Sequence, residues 1–215
     1  MKNIHKKRVP KTAGKRRSGN MTFQGHIVLI GPMGVGKTTV AELISARLGI
    51  PHLNLDLLNE DRFPLGFRYD DEFRARQQGK LQHLRYLGRF TAPLVKRLVG
   101  MYPAAVIDSG GNEFVGTTAR ERASLQAQVK RLGLKYIAAI LPFRSIRKSR
   151  SFMAGRRRRD EFDEALLSNP SYAMLARRVF YSLGRPLETV ADEIVTWVRS
   201  GVERRGGLVR VRRRP

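Results

Sequence analysis

The chain of 215 residues contains no cysteine, which excludes disulfides, thiolate metal sites and cysteine nucleophiles. It also lacks any apolar run near the ~20 residues that a membrane span needs. No apolar segment follows the polar, basic N-terminus as a signal peptide requires. These absences predict a cytoplasmic chain with no membrane partner. Acids are scarce: 18 Asp and Glu face 42 Lys and Arg, a net charge of +24. Histidine is rarer still. His5, His26, His52 and His83 are too scattered to suggest a metal site, and His26 and His52 read as structural residues flanking strands.

The excess charge is unevenly spread. Residues 1–20 hold eight Lys and Arg and no acid, and the end of the chain is dominated by Arg204, Arg205, Arg210, Arg212, Arg213 and Arg214. Such segments are expected to be disordered and to touch nucleic acid non-specifically. The expected organisation is therefore a basic tail over 1–20, one domain over 21–200 and a second basic tail over 201–215. Met21 is an alternative start position that would make the first tail an extension. A length of 215 residues suffices for one α/β domain with a real core, and a monomer is expected.

Against this background one motif stands out, Gly31-Pro32-Met33-Gly34-Val35-Gly36-Lys37-Thr38, which fits the phosphate-binding loop G-x-x-x-x-G-K-[ST]. The apolar run Ile27–Ile30 before it reads as a buried strand. Val40, Leu43, Ile44 and Leu48 after it fall at helical spacing, with Gly49 as a C-cap. Strand, glycine loop and helix N-terminus together create an anion site: backbone N–H groups curl around phosphate oxygens and the helix dipole adds positive potential. Gly31, Met33, Gly34, Val35, Gly36, Lys37, Thr38 and Thr39 are thus expected to bind a nucleoside triphosphate. Lys37 reaches the β- and γ-phosphates in this reading, and the Thr38 hydroxyl ligates Mg²⁺.

Further along, strands are expected at 50–55, 104–108, 136–141 and 178–183. A helical region over 71–99 should break at Gly79 or Gly88. Helices are expected from Thr117 or Thr118 to about Leu132, just after Pro170, and from Pro186 to about Arg199. Residues 57–70 read as irregular. Trp197, in the last helix, should pack against the sheet. Strands alternating with helices at this spacing predict an α/β fold, with a five-stranded parallel sheet and helices on both faces.

Four local features resemble the shikimate kinase family, over roughly residues 25–200. The loop is similar to the family's G-x-M-G-x-G-K-[ST], Met33 included. Asn54-Leu55-Asp56 lies where the family has D-x-D, Arg89 where an arginine holds the shikimate carboxylate, and Ser109-Gly110-Gly111-Asn112 where it has T-G-G-G. The resemblance implies a three-layer P-loop kinase fold and transfer of the ATP γ-phosphate, with Mg²⁺, to a hydroxyl of a small anionic acceptor, shikimate being the best single candidate. It implies that Asp56 orients or deprotonates the acceptor, that Arg89, Gly110 and Gly111 help bind it, and that Arg156, Arg157, Arg158 and Arg159 form a lid over ATP. Arginine suits that last role because its planar fork pairs with phosphate bidentately.

Three departures stand against the pattern. Asn54 replaces the acid that assists Mg²⁺, while Asp108 ends the third strand where the family usually has a small residue; the acid is expected to have moved there. Asn112 replaces the last glycine of the turn. Ser168, before Asn169-Pro170-Ser171-Tyr172, stands at the family's second carboxylate-binding arginine. Arg74, Arg76 and Arg85 lie in the same expected acceptor region as Arg89. Two other classes remain open: an ATP-binding regulatory module with little transfer activity, and a nucleic-acid-associated P-loop kinase or NTPase. Phe63, Phe67, Tyr69, Phe73 and Tyr86 lie near arginines, as the latter class would need, but core packing explains most such residues.

Overall fold

The apolar runs form strands because they are buried on both faces, as parallel sheets covered by helices require. A computed structural model describes residues 23–58, 60–111, 113–156, 167 and 169–206. Its strands are β1 (Gly25–Ile30), β2 (His52–Asn54), β3 (Ala104–Asp108), β4 (Tyr136–Leu141) and β5 (Arg178–Tyr181). They make one sheet in the order β2-β3-β1-β4-β5, parallel at every pairing. The helices are α1 (Lys37–Leu48), α2 (Tyr69–Gln77), α3 (Lys80–Met101), α4 (Ala119–Arg131), α5 (Ile146–Arg156), α6 (Pro170–Leu175) and α7 (Leu187–Gly206). None of the described helices is long and apolar enough to cross a membrane.

Alternate side chains of each strand serve opposite layers. Ile27, Leu29, Val106, Ala138 and Ile140 pack with Val40 and Ile44 of α1 and Val190, Ile194 and Val198 of α7. Val28, Ile30, Ala105, Ile107 and Ile137 pack with Leu94 and Leu98 of α3, Val129 of α4 and Tyr172 and Leu175 of α6. Trp197 joins the first layer as expected, its ring centroid 5.6 Å from that of Tyr136 and 5.9 Å from that of Phe180.

Three expectations need correction, and the choice between Gly79 and Gly88 is resolved. Strand β2 is shorter than 50–55, because the Asn54 side chain accepts a hydrogen bond from the Asp56 N–H at 2.9 Å and turns the chain into a 3-10 segment, Leu55–Leu57. The irregular stretch contains a second 3-10 segment, Glu60–Leu65, beside a small aromatic core of Phe67, Tyr86 and Phe90. The break between α2 and α3 falls at Gly79, whose φ is +109°, whereas Gly88 lies inside α3. Helix α7 continues to Gly206, beyond Arg199. Of the aromatics near arginines, Phe67 and Tyr86 are buried, whereas Phe63, Tyr69 and Phe73 are exposed.

With β1 central and the chain filling slots on either side of it, the sheet changes winding direction around β1. In open α/β sheets the crevice beyond the C-terminal strand ends at such a point is where ligands bind. The loop 31–38 leaves β1 at that end.

Candidate functional site

Gly31 has φ +145°, and a Cβ there would overlap the carbonyl oxygen of Ile140 in β4, so only glycine passes. Gly36, at φ 88°, caps α1. The next residue, Lys37, is only 7% exposed, and its Nζ donates to the Pro32 carbonyl at 2.9 Å. Burial lowers the Lys37 pKa below the usual lysine value, and the nearby carboxyls of Asp108, Glu113 and Asp56 oppose that shift. One turn of backbone N–H groups at the start of α1 completes an anion site.

Strand β3 carries an acid to the same place. The Thr38 hydroxyl donates to Asp108 Oδ2 at 2.7 Å, tying the first turn of α1 to the end of β3. Asp108 is 2% exposed, and its other oxygen, Oδ1, has no hydrogen-bond partner among the described residues. His52 Nε2 stands 3.7 Å from Asp108 Oδ2 and is also buried without a hydrogen bond among the described residues. A hydroxyl and a carboxylate with an unused buried oxygen fit Mg²⁺, a hard cation that takes few protein oxygens and completes its shell with water and phosphate. Among the described residues no group of three or more His, Asp or Glu side chains is arranged to hold a metal. Asn54, spent on capping the turn at Asp56, is directed to that backbone N–H.

Two glycines after β3 bring the remaining parts into contact. A Cβ on Gly111 would lie 2.6 Å from Met33 Cγ, so the bare backbone lets the loop methionine sit on it. The Tyr172 hydroxyl of α6 donates to the Gly111 carbonyl at 3.0 Å. A Cβ on Gly110 would overlap Asp56 Oδ1 and lie 2.6 Å from Glu113 Oε2, so two carboxyl groups share the space above that glycine. Glu113 is 2% exposed, and its Oε1 accepts from Arg62 Nη2 at 3.2 Å; the same nitrogen reaches the Leu55 carbonyl at 3.2 Å. Burial pushes the Glu113 carboxyl up to about 7, Asp56 adds to the rise, and Arg62 opposes it.

Glu113 also lines a cavity of about 350 Å³ between α3 and α4, together with Arg85, Arg89, Thr117 and Ser124. Arg89, exposed on α3, thus shares a cavity with Glu113, and Glu113 shares the Gly110 surface with Asp56. Arg85 is engaged by Glu121 at 3.4 Å. Arg74 does not line this cavity and pairs with Asp71 at 3.5 Å along α2, and Arg76 does not line it either. On the other side of the loop, a cavity of about 240 Å³ is lined by Gly34, Val35, Phe152, Ser182, Arg185 and Leu187.

Of the residues expected from the sequence, the loop, Asp56, Asp108, Gly110, Gly111 and Arg89 fall at one end of the sheet. Thr39 is exposed on the first turn of α1. Arg156 ends α5, and Arg157, Arg158, Arg159, Asn112 and Ser168 lie outside the described residues. Glu113, Arg62 and His52 belong to no site motif in the sequence, since only the fold brings them beside Asp56 and Asp108. The single sequence signal was an acid one residue after the glycine turn.

No protein-family model matches the chain. A shikimate kinase from Thioalkalivibrio sulfidiphilus is 37% identical over 70 residues, which span 30% of this chain and 37% of that protein. The crystal structure of shikimate kinase from Aquifex aeolicus aligns with a TM-score of 0.53 and 21% identity, covering 83% of this chain and 98% of that one. The shikimate kinase of Bacteroides thetaiotaomicron aligns with a TM-score of 0.54 and 17% identity, covering 84% and 99% respectively. The chain resembles the shikimate kinases, small P-loop kinases, in fold over most of its length and in sequence over a shorter stretch.

Proposed function

We propose that the protein is a small-molecule kinase that transfers the γ-phosphate of ATP to a hydroxyl of a small anionic acceptor. The observation that carries this reading is the meeting of Lys37, Thr38 and Asp108 at the C-terminal end of the sheet, with Asp56 near Lys37 and against Gly110. Phosphoryl transfer needs mostly positioning and charge neutralisation, and this set of groups supplies both.

In this reading the phosphates lie along the loop 31–38, with Lys37 beside the β- and γ-phosphates. The nucleoside side faces the cavity bounded by Val35, Phe152 and Leu187. The Thr38 hydroxyl and Asp108 would hold Mg²⁺, which when bound neutralises phosphate charge. Asp56 accepts a hydrogen bond from the acceptor hydroxyl and takes its proton. The acceptor oxygen bonds to the γ-phosphorus as the bond to the β–γ bridging oxygen breaks, and ADP departs with that oxygen. Arg89, exposed on α3 and lining the α3–α4 cavity, is the cation for an acceptor anion, since a charge-assisted contact of this kind contributes about 1.5–3 kcal/mol.

The resemblance to shikimate kinases makes shikimate the first acceptor to try. The test is ATP consumption with Mg²⁺, comparing shikimate with hydroxy acids, sugars and nucleosides. The expected result is saturable stimulation by a hydroxylated acid. Stimulation by neutral sugars alone would overturn the anionic acceptor, and tight ATP binding without stimulation by any compound would overturn transfer and leave a nucleotide-binding module.

A further inference from the structure

We propose that Glu113 is a positioning residue for Asp56, the two side chains forming a carboxyl pair that shares one proton above Gly110 and is anchored from behind by Arg62. The geometry carries the pair. Both carboxyls occupy the space that a side chain on Gly110 would fill, Asp56 Oδ1 and Glu113 Oε2 being the oxygens that meet there. Glu113 Oε1 is fixed by Arg62, which is itself tied to the Leu55 carbonyl one residue before Asp56. Oε2 is buried and has no hydrogen-bond partner among the described residues as a carboxylate. Two carboxylate oxygens only accept, so they cannot bond one another; a single proton on the pair supplies the missing donor.

The environment favours that proton. Glu113 faces Asp56 from the 3-10 turn, Arg62 from the next segment and Lys37 from α1, and it shares a cavity with Arg85 and Arg89 of α3 and Glu121 of α4. Arg85 is neutralised by Glu121 and Arg62 is already bonded to Glu113. The group left facing Oε2 is a second acid, and two adjacent carboxyls do not both ionise easily. Burial and the facing Asp56 together push the Glu113 carboxyl toward its protonated form.

For the proposed kinase the consequence is specific. With the proton present, Asp56 is held in place to receive an acceptor hydroxyl. When the proton is lost the two carboxylates repel, and Asp56, the exposed member, swings away. Because phosphoryl transfer depends on positioning more than on base strength, the loss falls on acceptor binding. This catalytic part rests on the kinase reading; the shared proton does not.

The experiment has two arms on the full-length chain. In the first, carboxyl carbon NMR follows Glu113 against pH in the wild type and in Asp56→Asn. Asp56 is exposed, so this variant leaves the fold intact. The expected result is a wild-type midpoint near 7 that falls by roughly half a unit or more in Asp56→Asn. An unchanged midpoint would overturn the pair. In the second arm, the acceptor KM is followed from pH 6 to 8 in the wild type and in Glu113→Gln, whose amide is a neutral, permanent donor of the same shape. The wild-type KM should rise through about pH 7 while that of the variant stays flat, with the KM for ATP unchanged in both. A Glu113→Gln profile that keeps the wild-type rise would overturn the positioning role. If no acceptor supports turnover, the kinase reading fails alone, and the first arm still decides the pair.

Discussion

Two side chains set the electrostatics of the site, Asp108 and Glu113. Asp108 bonds the Thr38 hydroxyl with one oxygen and leaves the other unused, which is the arrangement a metal-holding acid needs. Asp108→Asn keeps the acceptor for Thr38 and removes the charge. It should raise the Mg²⁺ concentration for half-maximal ATP turnover about 10–100-fold, measured by a metal titration at saturating ATP. Glu113 makes stability depend on pH. Its native pKa, near 7, lies above the ordinary carboxylate value, so the native state binds more protons than the unfolded one between about pH 4.5 and 7. Stability from this group is therefore fully present below that window and is lost as pH rises through 7, on the order of 3 kcal/mol in all. Denaturant titrations should show that decline in the wild type, and the difference between wild type and Glu113→Gln should isolate it.

Among the elements, the loop and the helix starts depend on single residues. The φ of Gly31 and the Ile140 carbonyl beside it leave no room for a methyl group. Gly31→Ala should destabilise the domain by about 2–3 kcal/mol and abolish nucleotide binding, read by thermal unfolding and by binding of a fluorescent ATP analogue. Helix α4 begins with a capping box: the Thr118 hydroxyl accepts from the Glu121 N–H at 3.2 Å, and Glu121 Oε2 accepts from the Thr118 N–H at 3.1 Å. Thr118→Ala should cost about 1 kcal/mol with little effect on ATP binding, because the box is remote from the loop. The capping pattern could be read from Thr118 and Glu121 alone. The short β2 could not, because Ile50–Leu55 is apolar enough for a longer strand and only the bond from the Asp56 N–H to Asn54 ends it.

At the scale of the molecule the net charge of +24 is the dominant property, and much of it lies in residues 1–20 and 203–215. A polyanion should bind the full chain with a steep salt dependence, and deleting residues 1–22 and 207–215 should roughly halve the slope of log affinity against log salt. An undiminished slope would place nucleic-acid binding on the domain itself. The sequence alone determined the parallel α/β class and the phosphate loop, because continuous apolar runs, 3.6-residue periodicity and glycine spacing are local properties of the chain. The resemblance to the shikimate kinase family also brought out Asp56, Asp108 and Arg89. The tertiary structure alone decided which of these residues meet. Strand order places β3 beside β1, so Asp108 reaches Thr38; the packing of Phe67 onto α3 accompanies the return of the 60–65 segment, so Arg62 reaches Glu113; and the bare Cα of Gly110 lets Asp56 approach. Burial of an acid beside another acid is a property of the folded interior, where desolvation outweighs the ordinary preference for charge, and no local pattern encodes it.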